Sequence, residues 1–207
     1  MRKHQLCIIV PIYNEEANLL RLKEKLLVYF KQASLPTKAL LVDDGSTDTS
    51  LELIQNICEH SPYFDYITFE RNCGLSAALK AGIDHVDTSL TGYIDADLQT
   101  DPNDFELLLE HIEDHELVLG NRNHERKDSA LKNMSSKIAN VIRRAFTNDG
   151  VDDTGCPLKI IKTDYARKIP MFKGLHRFLP AMIMLQNGKV KQVNIRNLPR
   201  LARYSKI

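Results

Sequence analysis

The sequence has no apolar run long enough to cross a membrane as a helix. Its longest unbroken apolar runs, such as residues 6–10, contain about five residues, whereas a spanning helix needs roughly 18. The first five residues carry charge and lead into a strand-like run without a small-residue cleavage site, so we expect no secretory signal. A length of 207 residues predicts one well-packed core and excludes two large domains.

The four cysteines lack the CxxC spacing that is typical of zinc sites and redox-active pairs. Cys7, Cys58, Cys73 and Cys156 are also too scattered to indicate a disulfide framework. We therefore predict reduced thiols in a cytoplasmic protein.

Acidic residues are missing from the last fifth of the chain. Residues 165–207 contain ten Lys or Arg and no Asp or Glu, whereas residues 1–164 contain 18 basic and 27 acidic residues. A basic segment suits a surface that meets phosphate groups, either of lipids, of a phosphorylated acceptor or of nucleic acid. A solvated basic face without a partner is the alternative. Because the segment has no recognition motif and few aromatic residues, we expect no nucleic-acid partner.

Short apolar runs alternate with helical patterns along most of the chain. Residues 6–10 and 39–42 are continuous apolar runs, which are typical of strands buried on both faces of a parallel sheet. Further strands are predicted near residues 66–70, 92–94, 116–120 and 158–161, and helices near residues 19–30, 51–58, 75–85, 105–112 and 131–145. This alternation predicts a three-layer α/β/α sandwich with a mostly parallel central sheet.

Two helix starts carry specific end signals. Thr49 and Glu52 match a capping box, in which each side chain binds the backbone of the other residue. Asp101 followed by Pro102 predicts an N-cap with a proline in the first turn.

Polar residues follow four of the predicted strands. These are residues 11–15, 43–46, 70–74 and 95–99. In an open parallel sheet, ligands bind outside the carboxyl ends of the strands. We therefore expect the candidate site at this edge.

Asp95 and Asp97 flank one small residue at a predicted strand end. This spacing allows two carboxylates to approach one hard cation, with Gln99 as a third oxygen ligand. Magnesium or manganese held there would stabilise a departing nucleoside diphosphate. An Asp-rich turn held by local hydrogen bonds is the alternative.

Asp43 and Asp44 also follow a predicted strand. A carboxylate there can accept hydrogen bonds from the imide edge of uracil or from guanine nitrogens. A tight turn before the next helix explains the same residues equally well.

Three segments together resemble the signature set of glycosyltransferase family two. They are residues 10–16 (VPIYNEE), 42–48 (VDDGSTD) and 95–99 (DADLQ). More narrowly, the chain resembles the polyprenyl-phosphate glycosyltransferases, both the dolichyl-phosphate mannosyltransferase-like enzymes and the undecaprenyl-phosphate sugar transferases. Residues 71–74, 120–122, 153–156, 176–180 and 205–206 extend the resemblance over nearly the whole chain.

The resemblance implies a GT-A fold and a role for each matching position. Residues 1–164 would form the nucleotide-sugar-binding catalytic domain, and residues 165–207 a basic extension of the same globular unit that faces acceptor and membrane. The nucleotide sugar would be bound by Pro11, Tyr13, Glu15, Asp43, Asp44, Arg71, Gly74, Asp95 and Ala96. The metal ion, Mg²⁺ or Mn²⁺, would be bound by Asp95, Asp97 and Gln99. The acceptor phosphate or the donor diphosphate would contact Arg122, Arg126, Lys132, Ser136 and Arg200.

The implied reaction is an inverting transfer of a sugar from a UDP- or GDP-sugar to a polyprenyl phosphate at the cytosolic membrane face. Asp97, Arg122 and Asp153 are the predicted catalytic residues, with Asp153 as the base or positioning carboxylate and Asp152 beside it as the alternative. An ionised phosphate needs less help from a base than a sugar hydroxyl does. The chain would be peripheral to the membrane, and a homo-oligomer is compatible with the sequence.

Two other functions remain open from the sequence. The first is a family-two transferase that acts on a sugar hydroxyl, for which a base would be essential. The second is a non-catalytic nucleotide-binding module that recruits partners to a membrane, although the intact pair of Asp95 and Asp97 argues against it. Lys132 also departs from the arginine that these enzymes often carry there, which replaces a bidentate phosphate contact by a point charge.

Overall fold

A central seven-stranded sheet organises the protein. The computed structural model describes residues 5–122, 151–196 and 198. The strands are β1 (Leu6–Ile12), β2 (Thr37–Asp43), β3 (Phe64–Thr68), β4 (Leu90–Tyr93), β5 (Leu117–Asn121), β6 (Lys159–Lys162) and β7 (Val190–Asn194).

The strand order is β3-β2-β1-β4-β6-β5-β7. All neighbouring strands pair in parallel except β6, which is antiparallel to both β4 and β5. Six strands therefore point the same way. The beginning of β6 consequently lies at the edge where the other six strands end.

Six α-helices are described around the sheet. They are α1 (Glu16–Gln32), α2 (Ser50–Glu59), α3 (Leu75–His85), α4 (Phe105–Leu109), α5 (Thr163–Arg167) and α6 (Leu175–Met184), and a 3-10 turn (Pro102–Asp104) precedes α4. No described helix is both long and apolar enough to span a bilayer.

Alternate residues of β1 face two separate apolar layers. Ile8 and Val10 belong to a cluster with Leu22 of α1, while Cys7 and Ile9 belong to a second cluster that includes residues of α3, α5 and α6. Side chains of successive strand residues point to opposite faces, so a continuous apolar run serves both layers. The predicted three-layer sandwich with a mostly parallel sheet is confirmed.

The basic extension contributes regular structure that the apolar patterns did not predict. Helix α6 and strand β7 lie within it, and β7 pairs in parallel with β5. The division after residue 164 falls inside α5. The division of the chain at this point therefore stays a prediction about the roles of its two parts. The predicted helix near residues 131–145 lies outside the described residues.

One of the two predicted helix caps is wrong. The Thr49 hydroxyl donates a hydrogen bond to Glu16 Oε2 (2.6 Å) and makes no cap for α2. A partner at the first residue of α1 therefore replaces the local capping box. The other cap is confirmed, because Asp101 Oδ1 accepts a hydrogen bond from the Asn103 amide (3.0 Å).

Candidate active site

The loops after β1 and β2 are joined by side-chain hydrogen bonds at the carboxyl edge of the sheet. Asn14 has a left-handed φ of 54° and accepts a bond from the Thr47 amide (2.8 Å), while its own amide donates to Ser46 Oγ (3.0 Å). The Glu15 amide donates to Ser50 Oγ (2.9 Å). These bonds fix the stretch that carries Pro11, half-buried, and Tyr13, which is 40% exposed.

Asp43 and Asp44 are both buried and both bind backbone or hydroxyl groups nearby. Asp43 accepts hydrogen bonds from the Ser46 amide (3.2 Å) and from the Thr68 hydroxyl (2.8 Å). Asp44 accepts one from the Cys73 amide (2.7 Å) on Oδ1 and one from the Gly74 amide (2.9 Å) on Oδ2. The turn-forming alternative therefore describes part of their role. Each carboxylate oxygen has a second lone pair, so nucleotide recognition remains open to them.

Arg71 lies beside this turn because Gly45 lets its backbone approach. A Cβ on Gly45 would come within 2.4 Å of the Arg71 carbonyl carbon. Arg71 is exposed, and Gly74 follows it in the loop that Asp44 holds. The structure therefore brings the predicted nucleotide-binding residues of three strand ends to one edge.

Asp95 and Asp97 follow β4 at the same edge. The Tyr93 hydroxyl donates a hydrogen bond to Asp95 Oδ1 (2.6 Å), and the Gln99 amide donates one to Asp97 Oδ1 (3.2 Å). Burial raises the pKa of Asp95. A partly desolvated carboxylate gains most from a cation, so the raised pKa of Asp95 indicates a site where positive charge is favourable.

The oxygen atoms of these residues fit a hard divalent cation whose other coordination positions are filled by a bound substrate. Asp95, Asp97 and Gln99 offer oxygen atoms, which Mg²⁺ and Mn²⁺ prefer. Within residues 5–122 and 151–196, no group of three or more His, Cys, Asp or Glu is arranged to hold a metal. Magnesium is commonly bound by one or two carboxylates together with substrate phosphates. Ala96 between the aspartates is buried.

Arg122 and Asp153 form a buried ion pair next to this group. Arg122 Nε donates to Asp153 Oδ2 (3.0 Å), and a second guanidinium nitrogen donates to Oδ1 (3.3 Å). The Arg122 backbone amide also donates to Oδ2 (3.3 Å). Both oxygens of Asp153 are therefore engaged, which suits a positioning carboxylate better than a base. Asp152 is exposed, and its amide donates to Gln192.

A buried lysine that was not predicted from the sequence lies behind these carboxylates. Lys159 is 1% exposed, and its ammonium donates to the carbonyl oxygens of Thr154 (3.3 Å) and Cys156. Burial lowers the pKa of Lys159 to about 8. A lysine inside a short apolar strand was the available signal, because lysine is rarely buried without partners.

Cys156 and Tyr93 are both kept in their neutral forms by burial. Burial raises the pKa of the Cys156 thiol to about 11. Burial and the neighbouring Asp95 carboxylate raise the pKa of Tyr93 well above its ordinary value, so its hydroxyl remains a donor. Cys156 is therefore suited to the core and not to nucleophilic chemistry.

Four predicted phosphate-contacting residues lie outside the described part of the chain. They are Arg126, Lys132, Ser136 and Arg200. Their roles stay predictions.

Residues 7–169 match the sequence profile described as "Glycosyl transferase family 2". Among curated relatives, the undecaprenyl-phosphate 4-deoxy-4-formamido-L-arabinose transferase of Photorhabdus laumondii is 31% identical over 194 residues, which are 93% of this chain and 60% of that protein. The dodecaprenyl-phosphate galacturonate synthase of Rhizobium johnstonii is 31% identical over 182 residues, which are 86% of this chain and 54% of that protein. The chain thus spans less than two thirds of these relatives.

Solved structures show the same fold at low sequence identity. The glucosyl-3-phosphoglycerate synthase of Mycobacterium tuberculosis, in complex with Mn²⁺, uridine-diphosphate-glucose and phosphoglyceric acid, has a TM-score of 0.77 and 16% identity. The match covers 97% of this chain and 72% of that one. The GT-A fold expected from the sequence is confirmed, and so is the resemblance to polyprenyl-phosphate transferases. The chain belongs to glycosyl transferase family 2.

Proposed function

We propose that this chain is the catalytic part of an inverting glycosyltransferase. It transfers a sugar from a UDP- or GDP-sugar to a polyprenyl phosphate at the cytosolic face of a membrane. The observation that carries the proposal is the placement of Asp95 and Asp97 beside the Arg122–Asp153 pair, at the strand edge that also holds Asp43 and Asp44. The names of the two relatives support the choice of acceptor.

The donor would occupy the edge between β2 and β4. Asp43 and Asp44 lie where they can meet the base, and Asp95, Asp97 and Gln99 would hold the cation against the diphosphate. When bound, Mg²⁺ or Mn²⁺ would supply Lewis-acid stabilisation of the departing nucleoside diphosphate. The solved neighbours crystallised with Mn²⁺ or Mg²⁺ support this choice of ion.

The acceptor phosphate would approach on the side of Arg122. One phosphate oxygen forms the new bond to the anomeric carbon, while the bond from that carbon to the nucleoside diphosphate breaks. Since this oxygen is already ionised near neutral pH, the reaction needs no protein base. Asp153 would then serve to orient Arg122, which agrees with its bidentate pairing.

The pairing of Arg122 with Asp153 also argues against the nearest alternative, a transferase that acts on a sugar hydroxyl. A sugar hydroxyl as acceptor would need a carboxylate that can take up a proton. Asp153 has both oxygens bound to Arg122, so taking up that proton would break part of this buried pair. A phosphate acceptor is therefore favoured.

A thermal-shift panel with UDP, GDP, CDP and TDP, each with and without Mn²⁺, tests the donor site. We expect one nucleotide to raise the melting temperature with a large Mn²⁺-dependent part, and Asp97→Asn to remove that part. The affinity of Asp97→Asn for Mn²⁺ should fall by more than about 100-fold, since outer partners of metal ligands alone contribute about 10–100-fold to metal affinity. Asp84→Asn is the matched control, because Asp84 lies on α3 and pairs with Lys80.

Transfer assays test the acceptor. A short-chain polyprenyl phosphate should support release of the nucleoside diphosphate from the donor sugar, whereas the corresponding polyprenol should not. Turnover with sugar hydroxyls alone would favour the alternative transferase. Nucleotide binding without turnover on any acceptor would favour the non-catalytic module.

A further inference from the structure

Tyr93 and Asp95 are linked through the end of strand β4. Tyr93 is the last residue of the strand, and Asp95 follows it by two positions. The Tyr93 hydroxyl donates to Asp95 Oδ1 over 2.6 Å. Tyr93 is only 3% exposed, so solvent does not compete for this bond.

This hydrogen bond restricts how the Asp95 carboxylate can turn. The donor on Oδ1 restrains the rotation of the carboxylate plane and therefore the direction of the second oxygen of Asp95. Carboxylates that bind metals are generally oriented by such outer hydrogen bonds. Without the phenol, the carboxylate would rotate between several orientations.

The Tyr93 ring is itself held by the buried cation of Lys159. The two residues are directly opposite each other in the antiparallel pair of β4 and β6. Lys159 Nζ lies 5.3 Å from the centre of the ring, within the range of a cation–π contact. Since the ammonium is also bound to the carbonyl oxygens of Thr154 and Cys156, it cannot move away from the ring without losing both bonds.

We propose that Tyr93 is a positioning residue that orients Asp95 for the divalent cation, and that Lys159 holds the Tyr93 ring in place. This inference rests on the proposed function, because it assumes that Asp95 is a metal ligand. Tyr93 acts through Asp95 and makes no contact with substrate in this proposal. Lys159 binds carbonyl oxygens in the loop Asp153–Cys156 and contacts the Tyr93 ring. It therefore connects this loop to the Asp95 carboxylate.

Titration of the purified protein with Mn²⁺ in the presence of UDP tests the inference. Tyr93→Phe keeps the ring and its contact with Lys159 but removes the hydroxyl. We expect Mn²⁺ to bind the variant about tenfold more weakly than the wild type, while UDP without metal binds both proteins within about twofold. If the panel identifies GDP as the bound nucleotide, GDP replaces UDP in every arm.

Tyr29→Phe is a closely matched control. Tyr29 is also a fully buried tyrosine, and its hydroxyl donates to a carboxylate oxygen, Glu106 Oε1 (2.9 Å). It lies on α1, and its hydroxyl binds a carboxylate of α4 and not the aspartates after β4. Removal of the Tyr29 hydroxyl should change the melting temperature about as much as Tyr93→Phe does. The affinity for Mn²⁺ should stay equal to that of the wild type. All titrations are made well below each melting transition, so stability does not enter the comparison.

The outcomes distinguish failure of the proposed metal site from failure of the positioning role of Tyr93. If wild-type protein with bound nucleotide does not bind Mn²⁺, the proposed metal site itself is wrong. If wild-type protein binds Mn²⁺ and Tyr93→Phe binds it within twofold of that affinity, the positioning role is overturned while the proposed function stands. An equal loss in Tyr29→Phe would also overturn it, since removal of any buried tyrosine hydroxyl would then weaken Mn²⁺ binding equally.

Discussion

At the scale of single residues, Gly45 shows how the backbone constrains the candidate site. Its φ of +68° lies in the left-handed region, and a Cβ there would overlap the backbone of Arg71. Two effects therefore oppose any side chain, namely backbone strain and a steric clash with atoms that cannot rotate away. Glycine at this position lets the turn after β2 lie against the loop after β3.

Gly45→Ala should lower the free energy of unfolding by more than about 2 kcal/mol, since left-handed strain alone contributes about 1–3 kcal/mol. Urea denaturation of the two proteins measures the difference. Gly155→Ala is the control, because a Cβ there would have its nearest contact at 3.6 Å. It should change stability by less than about 0.5 kcal/mol. Equal stability of the two variants would contradict the steric argument.

At the scale of elements, a hydrogen-bond network joins the beginning of α6 to α3. Ser76 Oγ accepts a bond from the Gly174 amide (3.0 Å) and lies 3.4 Å from His176 Nδ1. Burial, with smaller contributions from Lys159 and Arg177, lowers the pKa of His176 to about 4. The His176 imidazole between the two helices is therefore neutral near pH 7.

This lowered pKa predicts a pH dependence of stability. The unfolded chain takes up a proton on His176 near pH 6.5, whereas the folded chain does so only near pH 4. Between these values the unfolded state binds more protons, so the stabilising contribution is complete above about pH 6.5 and decreases as the pH falls toward 4. His176→Gln should reduce the loss of stability over this interval.

Urea denaturation at several pH values between 7 and 4 measures the effect. His60→Gln is the control, since His60 is exposed and its ring Nδ1 lies 2.9 Å from the Asn56 carbonyl oxygen. If the free energy of unfolding of His176→Gln decreases with falling pH as steeply as that of the wild type, other groups cause the acid sensitivity.

At the scale of the whole molecule, charge is divided unevenly along the chain. The described part of the basic extension, residues 165–196, joins the sheet through β7, so the positive charge of these residues lies on the same sheet as the acidic body. Lys168, Lys173 and Arg177 are exposed on it, close in sequence to exposed Met171 and Phe178. Such a surface combines attraction to anionic lipid with apolar contact.

We expect the protein to bind vesicles that contain phosphatidylserine and to leave neutral vesicles largely unbound, with weaker binding at high salt. Replacing Lys168, Lys173 and Arg177 by Gln should weaken binding roughly 100-fold at low salt, at about 1 kcal/mol per basic residue. Vesicle co-sedimentation measures this. The control replaces Arg21, Lys23 and Lys31 of α1, which changes the net charge equally. Equal losses in both triple variants would indicate a general charge effect.

Local patterns in the sequence determined the alternation of strands and helices from β1 to β5 and the edge where the candidate site lies. Continuous apolar runs indicated strands buried on both faces, helical spacing indicated the helices between them, and α3 has the predicted bounds of residues 75–85. The polar ends of β1, β2, β3 and β4 meet at one edge because parallel strands must end together. These features repeat over a few residues, so a single segment contains the whole signal.

Contacts between distant segments were decided only by the tertiary structure. The direction of β6 places Lys159 opposite Tyr93, and the pairing of Arg122 with Asp153 joins residues 31 positions apart. The Thr49 hydroxyl binds Glu16, the first residue of α1, instead of capping its own helix. Strand β7 has a weak apolar pattern and gains its place by pairing with β5. Each depends on which surfaces pack together, and that depends on the summed free energy of the whole core and not on any one stretch of sequence.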